Sequence, residues 1–489
     1  MMASESESDK GSLLPPRRSW PRRFLNRLEV DRAVFYAIAQ RGWQFVAGPI
    51  TLILIAKNFT PEVQGFYYTF WGVVALQAFF ELALPQTVIT TASHQWRHLG
   101  LTGENAIQGD ADSLSRLAHL TRISLMLFSA SGTLFFLGVG IFGLWFFSGE
   151  ASVSEASVSE TSGDQIAWRS PWVTLMVLSG LTFVTTPLFA VLEGCNRVAH
   201  VYQMQLLRSI FGNVVVWIAI PLGFGLWIPA LATLVRLICE LVFLVGLYRH
   251  FFGSMLGKLS GARIDWWREV WPFQYRILLK GMLSYFNSDM MGPVIFHYHG
   301  AVAAGQLGMT WQIIGALRAA CSSWVRARYT QMGILVAGGE YQELDRVFYR
   351  VATIGFGMMS LAGFLFWLSL VGLDWIGSKD GLRLLSPAPT AVLLIGLQAS
   401  LAVEFLWTYI HSHRVSPHLI LTFVGGAISC ILIWWWGAMF DRMGVAAAYF
   451  VAQACVYLPL SVWVWTTFRQ RRDQQIVDAT QAGRERGDA

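Results

Sequence analysis

The feature that most constrains this chain is a series of apolar runs, each long enough to cross a bilayer, separated by short polar segments that carry most of the charge. A hydrocarbon core about 30 Å thick needs roughly 20 apolar residues per helix. Runs of that length lie near 34–56, 64–90, 121–147, 171–193, 200–224 and 230–251. Six more lie near 273–297, 303–328, 347–372, 387–411, 417–439 and 445–468. The composition fits, with 54% hydrophobic and 13% charged residues. Backbone polar groups inside a bilayer must be satisfied within their own segment, so the expected fold class is an all-α polytopic membrane protein of about 12 transmembrane helices. Met1 to Arg32 is polar and Arg-rich and leads into no short apolar segment with a small-residue cleavage site, so the first run is expected to remain in the mature chain.

The longest polar interval in the middle of the chain, Arg249 to Trp271 with Lys258, Arg263 and Arg268, reads as a linker between two six-helix halves. The expected organisation is a cytoplasmic tail over 1–33, helices 1–6 over 34–251, a cytoplasmic linker over 252–272, helices 7–12 over 273–468 and a second tail over 469–489. Orientation follows from the 36 Lys and Arg residues: 28 fall on the side of the N-terminus, Lys57, Arg169, Lys379, Arg383 and Arg442 fall opposite, and Arg41, Arg236 and Arg318 lie deeper. The positive-inside rule then puts both termini in the cytoplasm. A missing or extra helix would swap the later loops and destroy the asymmetry, so the charges also support an even count. Gly48-Pro49 in the first run recurs as Gly292-Pro293 in the seventh, a weak echo of parallel duplication in which each Pro is expected to bend its helix. The acidic, Ser-rich segment Ser148 to Ser170, with its tandem ASVSE repeat, reads as a disordered surface loop. Ser93 to Thr121 reads either as a short amphipathic surface helix or as a plain connector.

Several function classes are disfavoured. A pI near 9.1 could suggest nucleic acid, but the basic residues lie between apolar runs, which is a topology pattern, and no nucleic-acid partner is expected. There is no Walker A pattern, GxSxG elbow, HExxH pair or DxD-like acidic pair in an external loop, so neither ATP hydrolysis nor another catalytic site is expected. Membrane glycosyltransferases and polymerases generally need a sizeable extracytoplasmic loop, and the largest here is about 23 residues. Cys195, Cys239, Cys321, Cys430 and Cys455 have no CxxC spacing and predict neither disulfide nor metal site. The pairs His297/His299 and His411/His413 sit at run ends on opposite sides and read as solvated rather than as ligands. Most of the 22 Trp, including Trp434 to Trp436, fit the aromatic belts of a membrane protein. No cofactor is expected.

Charges inside the runs carry more information: Arg41, Arg208, Arg236, Lys280 and Arg318, with Glu81, Glu240, Asp289 and Glu404. At roughly 3 kcal/mol per central charge, five cations facing lipid would cost on the order of 15 kcal/mol, comparable with the stability of a whole domain. They must face partners or water. One reading is a cationic lining that meets an anionic substrate at successive depths, with Arg41, Arg208 and Lys280 at similar depth, Arg318 deeper and Arg236 nearer the outside. The other is internal pairing, for instance Glu81 with Arg41 or Arg236 with Glu240 at i,i+4 spacing. The five cations are the candidate substrate-binding residues. Asp289, Glu81 and Glu404 are the candidate sites for a coupling H+ or Na+, unless the membrane potential alone drives the cycle.

Several strings bear a family resemblance. TPEVQGFYYTFWGVVALQAFFELAL over 60–84, TASHQW over 91–96, LEGCNRV over 192–198, EVWPFQYRI over 269–277, AGQLGMTWQI over 304–313 and YQELDRVF over 341–348 resemble bacterial polysaccharide-transport proteins. These are relatives of O-antigen flippases in the superfamily that also holds multidrug/toxin extrusion exporters and the lipid II flippase. The resemblance runs over roughly residues 33–468. It implies two six-helix lobes around a central cavity, a bacterial inner-membrane location, and translocation of an undecaprenyl-diphosphate-linked oligosaccharide for surface polysaccharide biosynthesis. The implied partners are that lipid-linked oligosaccharide, membrane lipids, and the polysaccharide polymerase and glycosyltransferases of the same process. No family motif assigns substrate-binding positions, so the embedded charges rest on the membrane-cost argument. A drug exporter of the same superfamily is the competing reading. Cationic drugs would favour an acidic cavity, whereas the embedded cations outnumber the acids by five to four.

Overall fold

Within the described residues the apolar runs fold mainly as helices. The computed structural model describes residues 32–81, 84–102, 106–157, 166–255, 264–266, 271, 285–286, 289–326, 328–377, 381–413 and 419–487. The first lobe contains α1 (Arg32–Asn58), α2 (Pro61–Val74), α3 (Leu84–Trp96), α4 (Ala111–Ser157), α5 (Arg169–Gly194), α6 (Val198–Ala219) and α7 (Ile228–Gly253). The second contains α8 (Met291–Arg326), α9 (Tyr329–Ala337), α10 (Tyr341–Trp375), α11 (Pro387–Ser412), α12 (Leu419–Val451) and α13 (Leu458–Gly487), with a π-helical turn at Ala452–Tyr457 before α13. Among the described residues six helical stretches are long and apolar enough to cross a bilayer, and a seventh if the bent pair Pro61–Phe80 and Leu84–Trp96 forms one span. The chain is an all-α, multi-pass membrane protein. Most of the run near 273–297, with Lys280, lies outside the described residues.

Two of the long helices contain reversals that separate neighbouring runs. In α8 the break is Gly300, at φ 81 and ψ 179, a conformation essentially closed to residues with a Cβ. In α12 it is Phe440 and Asp441, with Asp441 at φ 51 and ψ −143, a conformation rarely adopted by residues with a Cβ. At the start of α2, Thr60 accepts from the Val63 amide at 3.3 Å, Pro61 supplies a preset φ, and Glu62 complements the helix dipole. The paired Gly-Pro steps behave differently. Pro49 lies inside α1, whereas Pro293 lies in the first turn of α8, where its missing N–H leaves no helical bond unmade.

Two connectors depart from expectation. Ser93 to Thr121 is neither a separate surface helix nor a plain connector. Between α3 and α4, strand β1 (Leu99–Leu101) pairs antiparallel with β2 (Ile107–Gly109) in the register Leu99↔Gly109. Gly109 has φ 145, and a Cβ there would lie 2.4 Å from the His98 carbonyl, so this ribbon needs its glycine. Asp110 then starts α4, its Oδ2 accepting from the Ser113 amide at 2.9 Å and hydroxyl at 2.7 Å, and these bonds hold its carboxyl below the usual range. The supposed loop after Ser148 is also partly helix, since α4 runs to Ser157 through the first ASVSE copy. Extending an existing helix by Ala, Ser, Val and Glu costs only tenths of a kcal/mol per residue, because nucleation has already occurred. Residues 158–165 lie outside the described set.

The lobes meet at the end of the bundle away from the chain termini, here the distal end. Phe296 of α8 packs against Phe66 of α2 and Phe146 and Phe147 of α4, with ring centroids 5.0, 5.7 and 5.3 Å apart. Behind them Trp172 of α5 is fully buried, 5.0 Å from Phe70 and 5.1 Å from Phe147, and donates Nε1–H to Gly140 O at 3.1 Å. Removing that indole leaves a large void beside an interlobe aromatic cluster, so Trp172→Ala is expected to destabilise the protein by about 3–5 kcal/mol. The check is denaturant unfolding in detergent. An unchanged midpoint would mean that this cluster does not hold the distal end.

Candidate functional site

The embedded charges sort into one cluster per lobe. Glu240 of α7, its side chain 1% exposed, sits where α5, α6 and α7 converge. Thr185 donates its hydroxyl to Glu240 Oε2 at 2.6 Å. Arg208 of α6 and Arg236 of α7 both bind the other oxygen, Arg208 through Nη1 and Arg236 through Nε at 2.9 Å. The carboxylate is desolvated but has donors on both oxygens, which is the condition for burying a charge. Two guanidinium groups bound to one carboxylate give this hydrogen-bonded group a surplus positive charge, which Glu81, lying in the field of Arg236, offsets in part. That surplus is presented outward, since the arginine side chains are 27% and 39% exposed. An exposed guanidinium facing lipid at mid-span would cost about 3 kcal/mol.

The second cluster joins α8 and α11. Arg318 donates Nη1 to Ser400 Oγ at 3.1 Å and approaches Glu404 Oε2 at 4.0 Å, while Ser322 donates to that same oxygen at 3.0 Å. The pair is neutral and looser, with side chains 37% and 23% exposed.

The other nominated residues lie elsewhere. Glu81 does not pair with Arg41. It accepts from Gln77 Nε2 at 2.8 Å, and the cation whose field reaches it is Arg236. Arg41 is exposed on α1 and makes no ion pair among the described residues. Asp289 is exposed in the turn before α8, and Lys280 lies outside the described residues. The graded depth expected for Arg208 and Arg236 is not found, because both reach one oxygen atom. Long side chains and the packing of α6 on α7 remove the offset inferred from residue numbers. Glu240, Thr185, Ser322 and Ser400 were not among the nominated site residues. The i,i+4 spacing of Arg236 and Glu240 was the legible signal for the first, and uncharged hydroxyls give none.

The four histidines read as solvated all have partners, with His297 stacked on Trp434 and His411 against Trp407. His299 Nε2 lies 2.6 Å from Gly437 O and its Nδ1 is 3.7 Å from Asp441, which ties α8 to the reversal in α12. His413 stacks on Tyr341 and packs against Phe468, and burial pushes its imidazole below the ordinary value. Around it lies a polar knot that sequence reading missed. Buried Tyr409 donates to Asp345 at 2.5 Å, Arg469 binds the other Asp345 oxygen at 2.5 Å, and Arg472 donates to Tyr409 Oη at 2.5 Å. It clamps α10, α11 and α13 together at the end near the C-terminus.

The distal interlobe seam is built from small residues. A Cβ on Gly65 of α2 would lie 1.9 Å from Ala301 O, and one on Gly305 would lie 2.9 Å from Gly65 N. At this backbone-to-backbone contact buried Gln64 donates Nε2 to Gly305 O at 2.9 Å and to Arg383 O at 3.1 Å. Tyr68 donates to Gln312 Oε1 at 3.0 Å. The contact is therefore close but carries few hydrogen bonds, as suits an interface that can separate.

No family model and no curated protein matches the sequence. Solved structures do match. An inward-facing multidrug resistance transporter of the MATE family aligns with a TM-score of 0.63 at 12% identity, covering 87% of this chain and 96% of that one. Lipid II flippase MurJ in an inward closed conformation aligns at 0.60 and 13% identity, covering 88% and 87%. The fold is that of the MOP-superfamily transporters. An outward-facing MATE transporter of the same superfamily scores lower, 0.51 at 14% identity over 90% and 96%.

Proposed function

We propose that this protein is a transporter that moves an anionic, lipid-linked oligosaccharide from the inner to the outer leaflet of a bacterial cytoplasmic membrane by alternating access. On this reading the charge asymmetry puts the chain termini in the cytoplasm, and the distal seam is the closed outer gate. The observation that carries it is the surplus positive charge of Arg208 and Arg236 around Glu240, which suits a diphosphate better than a cationic drug. The sequence resemblance to polysaccharide-transport proteins supplies the glycan, and MurJ offers a flippase of the same fold. Multidrug export is the second reading, favoured by the fold likeness to the MATE transporter.

Energy could come from the field. A diphosphate carrying two negative charges outward gains about 4.6 kcal/mol per 100 mV, at about 2.3 kcal/mol per charge. Glu81, Asp289 and Glu404 remain the candidates for H+ or Na+ if an ion resets the empty carrier. The test is a set of proteoliposomes holding labelled undecaprenyl-diphosphate oligosaccharide or a cationic dye, with an imposed potential and no ion gradient. Glycan movement that accelerates when its side is made negative, falls about tenfold in Arg236→Gln and leaves the dye untouched is the expected result. Dye export without glycan movement replaces this reading with a drug exporter. Glycan movement that follows only a pH or Na+ gradient replaces the field with carboxylate coupling.

A further inference from the structure

The first lobe has a groove that belongs neither to the embedded charges nor to the interlobe seam. It lies between α4 and α7, encloses about 290 Å3, and is apolar along Leu125, Leu188 and Val245, with Arg122 and Arg249 among its lining residues. Its surroundings face outward, since Val245 is 64% and Met126 66% exposed. In a membrane-spanning helix bundle such a surface meets acyl chains. The two arginines are exposed at the ends of their runs, at the depth of lipid headgroups rather than in the hydrocarbon. Arg122 is steadied by donating Nη2 to Met255 O at 3.0 Å, and Arg249 donates Nε to His250 Nε2 at 3.1 Å. No carboxylate is among the described residues lining the groove.

We propose that this groove binds an anionic phospholipid, with one acyl chain along Leu125 and Val245 and the phosphate held by Arg122 and Arg249. Charge complementarity selects the ligand, because two guanidinium groups beside an apolar slot match a phosphodiester at the head of an acyl chain. The proposal depends on membrane insertion and not on which substrate is carried.

Native mass spectrometry of the full chain released from nanodiscs of equal phosphatidylglycerol and phosphatidylcholine tests it. The wild type is expected to retain phosphatidylglycerol at least fivefold over phosphatidylcholine. Arg122→Gln/Arg249→Gln should bring retention down to the phosphatidylcholine level. Leu125→Trp, which fills the slot and keeps both arginines, should do the same, so the test survives if the double variant misfolds. Equal retention of both lipids by the wild type overturns the proposal, as does wild-type phosphatidylglycerol retention in either folded variant. Undecaprenyl phosphate displacing phosphatidylglycerol at equal concentration also overturns it and makes the groove a docking place for an isoprenoid carrier.

Discussion

Oxidising the Tyr68→Cys/Gly308→Cys variant is expected to cut transport at least tenfold, and reducing it to restore the rate. A Cβ on Gly308 would lie 2.5 Å from the Tyr68 Cβ, so a movement of about 1 Å brings the pair to the 3.5–4.5 Å of a disulfide. The link joins α2 to α8 across the distal seam, beside the Gln64 and Gly305 contact, and a carrier whose lobes must part there cannot complete its cycle. Replacing the five native cysteines first removes competing thiols. Gly308→Cys alone should be insensitive to oxidant, which separates the lock from any effect of the added side chain. Full transport by the cross-linked form would show that the seam does not open during the cycle, and the alternating-access reading would fail with it.

The second large effect is on stability. Glu240→Leu removes the one carboxylate between Arg208 and Arg236 and leaves two partly buried guanidinium groups facing each other. Breaking a buried pair in this way costs about 3–5 kcal/mol, because the remaining charge has lost its partner but not its burial. Glu404→Leu should cost about 1 kcal/mol or less, since Arg318 stands 4.0 Å away and both side chains are substantially exposed. The triple change Glu240→Leu/Arg208→Leu/Arg236→Leu is expected to recover most of the lost stability, as apolar replacements of buried ion clusters often do, while transport stays abolished. Denaturant midpoints in detergent, read beside liposome transport, distinguish these outcomes. If Glu240→Leu unfolds with the wild type, Glu240 is not the electrostatic centre of the first lobe. If the triple variant transports normally, the cluster is scaffolding and not a substrate contact.

The helices and the fold class were legible along the chain, because hydrophobic length is a local property: a run such as 171–193 is committed to span before it meets any neighbour. The sequence also showed that charges such as Arg208, Arg236 and Glu240 needed partners or water, since the cost of a charge in lipid does not depend on fold. It could not show which charges meet, because that depends on how each helix is rotated and tilted against the next. Glu81 was free on paper to pair with Arg41, yet it accepts from Gln77 and lies in the field of Arg236. The β-ribbon at Leu99–Gly109 and the helix running on through Gly149 were equally out of reach, since short segments with weak propensity take the form their ends impose. That Gly65, Gly305 and Gly308 form a seam between lobes emerges from the packing of α2 on α8. A glycine records in sequence that space or a special φ is needed, but what fills the space comes from another part of the chain, more than two hundred residues away.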